Sequence, residues 1–182
     1  MVRLVILQLC RLLATTNERL TRWARNAAGV FLAVMLAIVM GQVVCRYVIG
    51  SSLSWSEEVS KSLMVWSVFF VSPWAYRNNA NVAIEALQRS FSPRFRAAVQ
   101  VLVNALVLWV LAHFFWESLF FVARGKTITL ASLPIEMLWV YLVMPASLAT
   151  MLLVGIELLL RHAFEFMHGT PFPSPRPGED PR

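Results

Sequence analysis

Four stretches without a charged side chain set the terms on which this sequence can fold: Asn26 to Cys45, Ser62 to Tyr76, Ala97 to Trp116 and Met137 to Ile156. The first, third and fourth are each 20 residues long. Twenty helical residues rising 1.5 Å each reach about 30 Å, one bilayer hydrocarbon core. Of the 182 residues, 58% are apolar and 14% charged, against about 45–50% and about 25% in soluble domains. An ordinary soluble domain is therefore excluded. The sequence predicts an all-α integral membrane protein with four transmembrane helices, at about residues 27–46, 55–76, 97–123 and 133–160.

The net charge of +6 raises nucleic acid as a partner, but the basic residues flank the spans instead of gathering on a soluble face. With the amino terminus inside, twelve of the sixteen Lys and Arg are cytoplasmic, and only Arg46, Lys61, Arg124 and Lys126 lie outside. That asymmetry across short loops is the positive-inside pattern, so both termini are expected in the cytoplasm. The partners this implies are membrane lipids and other membrane proteins. Cys10 and Cys45 fall on opposite sides of the bilayer, too far apart for a disulfide.

Three regions follow. Residues 1–26 form a cytoplasmic amphipathic segment: Arg11 breaks the apolar run that a signal peptide would need, and Arg11, Thr15, Glu18, Arg22 and Arg25 recur on one helical stripe. Trp23 is its expected interfacial anchor. Residues 27–161 form the four-helix membrane domain. Residues 162–182 are expected as a disordered cytoplasmic tail, since five of the fourteen residues from Gly169 to Arg182 are proline.

Helix 2 should start near Trp55, where Ser54 and Glu57 have capping-box spacing. Its uncharged part spans only about 22 Å, so Lys61 must belong to the helix, its stem reaching to the outer interface and its charge paired with Glu57 one turn earlier. Pro73 should kink the helix and Arg77-Asn78-Asn79 should close it, leaving a short amphipathic turn or helix before Arg96. Span 3 carries two i, i+4 polar pairs, Gln100 with Asn104 and His113 with Glu117. They face opposite ways, which predicts protein on two sides of this helix. Span 4 has Pro134 in its first turn and an interior kink at Pro145. No internal repeat of the kind that builds an inverted-repeat transporter is present.

Ionisable groups inside a span are the usual functional candidates. His113 and Glu117 lie near the outer end of span 3 and read as an interhelical hydrogen bond or outer cap, with a proton relay as the sharper alternative. Asn104 reads as packing glue between helices, and Trp66 and Trp109 as packing anchors. No two histidines share a depth on facing helices, as bis-histidine haem would require. There is no P-loop, zinc spacing, or nucleophile and base pair, so neither an enzyme nor a cofactor is predicted.

One set of residues carries a resemblance. Arg46-Tyr47-Val48, Leu53-Ser54-Trp55-Ser56-Glu57-Glu58, Met64-Val65-Trp66, Ala75-Tyr76-Arg77 and Asn81-Val82, with Leu133-Pro134-Ile135 and Trp139 to Pro145 further on, resemble the small membrane subunit of tripartite ATP-independent periplasmic (TRAP) transporters, the DctQ-like family. The likeness covers roughly residues 18–161. It departs at Asn81, near where the family has a histidine. The resemblance implies a static scaffold in the bacterial inner membrane beside a large permease subunit, which carries the sodium and substrate sites for symport of an organic acid. A periplasmic substrate-binding protein delivers that substrate. A membrane anchor for a redox enzyme complex is the alternative. Arg46, Tyr47, Trp55, Glu57, Glu58, Lys61, Trp66, Arg77, Asn104 and His113 are the candidate structural or subunit-interface residues. In the outer hairpin, Glu57 is expected to pair with Lys61 and Glu58 with Arg46, flanked by Tyr47 and Trp55 as headgroup anchors.

Overall fold

The computed structural model describes the backbone of residues 2–50, 53–88 and 93–168 and the side chains of residues 13–50, 53–78 and 98–163. The described residues are almost wholly helical: α1 is Val2–Val44, continued by a π-helical turn Cys45–Ile49, α2 is Ser54–Gln88, α3 is Pro93–Gly125, α4 is the single turn Leu138–Tyr141 and α5 is Val143–His168. Three segments, Leu13–Ile49, Ala98–Gly125 and Leu138–Ala163, are long and apolar enough to cross a membrane.

The long helix that falls short of that criterion is α2, whose uncharged run, Ser62 to Tyr76, is only 15 residues long and holds three serines. They lower its hydropathy, yet Ser62, Ser67 and Ser72 each donate their hydroxyl to the carbonyl four residues back, at 2.7–2.9 Å. The helix itself thus satisfies these polar groups, as an apolar environment demands.

α1 packs along α2 and α3 along α5, while α5 also touches α1 and α2. The sequence of α5 shows why it is central. Val143, Ser147, Val154, Leu158 and His162 are all buried, and they recur at steps of four and seven residues, one continuous inward stripe. Gly155 supplies a close approach where α2, α3 and α5 meet: a Cβ there would lie 2.7 Å from Leu108 Cδ2 and 3.3 Å from Tyr76 Oη, so a side chain would have to displace the Leu108 methyl. On the other side of α5, Phe31 of α1 meets Trp66 and Phe70 of α2 edge-on, with ring centroids 5.5 and 5.4 Å apart. The first hairpin follows from Gly50, whose φ of 75° ends the π-helical turn in the left-handed region.

Several helix boundaries differ from expectation. α1 is unbroken from Val2 to Val44, 43 residues or about 64 Å, so no break in the helix falls at residue 26. Arg77-Asn78-Asn79 does not close α2, which continues to Gln88 and absorbs much of the expected loop helix. α2 also runs straight through Pro73 in sequence. Proline there leaves the Phe69 carbonyl without its helical donor, and the Ser147 hydroxyl of α5 replaces it at 2.6 Å.

The segment expected as the fourth span becomes helical at Leu138, not 133, because residues 126–137 form a turn instead, closed by Leu130 N donating to Ile135 O and Met137 N to Ile128 O. Pro145 has no N–H to offer the Tyr141 carbonyl, and the helix is interrupted just there, at Leu142 between α4 and α5, although Leu142 itself keeps helical angles (φ −63°, ψ −24°) and donates to the Leu138 carbonyl. α5 continues to His168, past the expected tail boundary at 162. The remainder of that expected tail, 169–182, lies outside the described residues, as does Asn81's side chain.

Candidate functional site

At the end of the bundle that holds the start of α1 and the end of α5, a carboxylate is enclosed by three helices. Glu157 of α5 is wholly buried. Its Oε1 lies 2.6 Å from Arg161 Nη2 on the same helix and 3.4 Å from Arg77 Nη2 of α2. Its Oε2 accepts from Asn17 Nδ2 of α1 at 2.8 Å. Asn17 also donates to the Leu153 carbonyl at 3.2 Å, and Arg77 to the Ala14 carbonyl at 3.2 Å. One turn along α1, buried Thr21 returns its hydroxyl to the Asn17 carbonyl at 2.7 Å.

A carboxylate removed from water costs several kcal/mol unless paired and hydrogen-bonded. Two guanidinium groups and an amide compensate it here, so the charge is held in a fixed tie. Arg161 is one turn from Glu157, the natural i, i+4 spacing. Arg77 reaches the same carboxylate from α2, 80 residues away in sequence. The cluster thus locks α1, α2 and α5 into one register.

A weaker polar contact joins α2 to α3. Asn104 is buried and donates to the Gln100 carbonyl at 2.9 Å, and the Tyr76 hydroxyl lies 3.5 Å from Asn104 Oδ1. Trp66 is half-buried in its cluster with Phe31 and Phe70. His113 and Glu117 are both exposed on α3, and among the described residues neither bonds to another helix.

The opposite end of the bundle is organised differently from expectation. Glu57 does pair with Lys61, Oε1 to Nζ at 2.7 Å, with both side chains mostly exposed. Glu58 does not pair with Arg46. Its two carboxylate oxygens accept from the backbone N–H groups of Ala131 and Ser132, 3.0 Å each, in the turn between α3 and α4. Two adjacent amides match a carboxylate's two oxygens, and they tie the start of α2 to a turn some 70 residues away in sequence. Arg46 is exposed, and among the described residues no carboxylate pairs with it. Tyr47 is 80% exposed and Trp55 41%. Ser54 is the first residue of α2, and it is Ser56, not Ser54, that bonds to the preceding turn, at Leu53 O, 2.6 Å.

Residues 35–165 match the family described as tripartite ATP-independent periplasmic transporters, DctQ component. The chain belongs to the DctQ family. A Haemophilus influenzae protein named "Putative TRAP transporter small permease protein" is 30% identical over 77 residues, which cover 42% of this chain and 48% of that protein. The chain thus spans about half the length of the curated relative it matches. No solved structure matches it. DctQ proteins are transporter components and not an enzyme family, and nothing in that assignment supports a redox-enzyme anchor.

For this DctQ chain, sequence reasoning singled out Arg77 and missed its partners. Glu157 ends the uncharged run 137–156 and is followed by Leu158-Leu159-Leu160 and Arg161. An acid one turn before a base at the edge of an apolar helix was the available signal. Asn17 had none, since an amide beside Glu18 and Arg19 reads as solvated.

Proposed function

We propose that this chain is the static small subunit of a sodium-driven TRAP transporter, supporting a large permease subunit in uptake of an organic acid that a periplasmic binding protein delivers. The observation that carries the reading is the commitment of Glu157. The deeply buried carboxylate of the bundle is held by Arg77, Arg161 and Asn17, which fits a part that fixes helix positions better than one that binds and releases an ion. Four crossings are proposed, with α2 as the fourth, Ser62, Ser67 and Ser72 being satisfied within the helix. The basic asymmetry supports an orientation with both termini in the cytoplasm, in a bacterial inner membrane.

The test combines transport and topology. A strain lacking the chain should lose sodium-driven, binding-protein-dependent uptake and regain it on complementation. Asn104→Ala should lower the yield of assembled transporter and leave the sodium dependence of uptake unchanged. A shifted sodium dependence with normal assembly would overturn the scaffold role. With Cys10 and Cys45 replaced by serine, Thr129→Cys should react with an impermeant thiol reagent in intact cells and Arg19→Cys should not; the reverse pattern would overturn the orientation.

A further inference from the structure

The two apolar faces that the bundle leaves open are chemically different. On α1, every exposed residue from 29 to 44 is Gly, Ala, Val, Leu or Met. On α3, an exposed stripe runs Leu102, Leu106, Trp109, His113, Trp116 and Phe120, spaced 4, 3, 4, 3 and 4 residues apart. That is the seam of a helix packing against another helix. Glu117 lies beside it and is also exposed.

Depth sharpens the contrast. α3 runs from Pro93 to Gly125, about 48 Å, so a centred hydrocarbon core of about 30 Å covers roughly 9–39 Å along it. Trp109, His113 and Glu117 fall at about 24, 30 and 36 Å. An indole N–H, an imidazole and a carboxyl group therefore face outward within the core. Among the described residues none of the three has a hydrogen-bond partner in this chain. Lipid tails offer no partner, and tryptophan facing lipid belongs at the headgroups, not near mid-depth.

We infer that the α3 stripe centred on Trp109, His113 and Trp116 is the face that docks the large permease subunit, through a facing helix that presents hydrogen-bonding groups to His113 and Glu117, while the α1 face meets lipid. The inference rests on the scaffold reading above and adds the surface. It gives the outward polar pair of span 3 its occupant: protein lies on both sides of α3, α5 on one and the partner subunit on the other.

The test uses the transporter co-expressed with its large subunit in membranes. A photoreactive benzophenone amino acid is placed at Leu106 or Phe120 on α3, and at Leu32 or Leu36 on α1. Irradiation should join the α3 positions to the large subunit and leave the α1 positions without a protein adduct. In parallel, His113→Leu and Glu117→Leu should each cut the large subunit recovered with the tagged chain roughly tenfold, the scale of a central interface contact, with the tagged chain itself still monodisperse. A lipid-facing stripe would gain from both changes.

Adducts at α1 and none at α3, with normal co-purification, overturn the assignment of the face and leave the scaffold reading standing. Adducts at α3 between two copies of this chain do the same. If the wild-type chain recovers no large subunit, both fall.

Discussion

The two ends of this bundle use their charged residues in opposite ways. Where α1, α2 and α5 converge at the end holding Glu157, charges are buried and shared across helices distant in sequence, Arg77 to Glu157 and Asn17 to Glu157. At the hairpin end the ion pair is local and solvated, Glu57 with Lys61 on successive turns, and the long-range contact is made by a carboxylate on backbone amides. Burial is what makes a charge specify an arrangement. A buried carboxylate accepts only the geometry that satisfies it, whereas an exposed one exchanges protein for water at little cost.

The largest expected effect breaks the buried end. Glu157→Ala leaves two arginines facing each other without their anion, a change expected to cost about 3–5 kcal/mol. It should show as a large loss of monodisperse protein and a lowered unfolding temperature in detergent. Replacing Arg77, Glu157 and Arg161 together by Met, Leu and Met removes every unpaired charge and should recover much of the loss. If it recovers none, the cluster does more than tie helices.

A smaller effect is expected at the other end. Glu58→Ala removes two charge-assisted hydrogen bonds that are solvent-accessible, worth about 1 kcal/mol together after screening. Hydrogen exchange at the Ala131 and Ser132 amides should accelerate while the α5 amides stay protected. Equal acceleration throughout would mean that the turn and the bundle open as one unit. The smallest effect sharpens the comparison: Lys61→Ala should leave the unfolding temperature unchanged, since its ion pair is exposed. A clear destabilisation there would erase the distinction between the two ends.

Much of the outline was legible in residue order. The uncharged runs placed the long helices, and the i, i+4 spacing of Glu57 and Lys61 predicted their contact, because both signals are local: hydrophobic length and helical periodicity are properties of a few consecutive turns. Boundaries near proline were less legible. α2 continues past Pro73, where Ser147 supplies the Phe69 carbonyl, whereas just before Pro145 the helix is interrupted at Leu142. A proline's consequence depends on who can replace its missing donor, and that donor came from another helix.

By itself the sequence determined that this chain is a helical membrane protein, roughly where its helices run, and, through the motifs from Arg46 to Pro145, its family. Tertiary structure alone decided which polar groups are partners. Arg46 and Glu58 are neighbours along the hairpin and opposite in charge, but the turn at residues 131–132 reaches the carboxylate with two fixed amides. Asn17 and Glu157 are 140 residues apart and meet at 2.8 Å. The physical reason is the same in both cases. Periodicity fixes which face of a helix a residue occupies, whereas the rotation and register between helices come from packing such as Gly155 against Leu108, and only these bring two distant polar atoms within bonding distance.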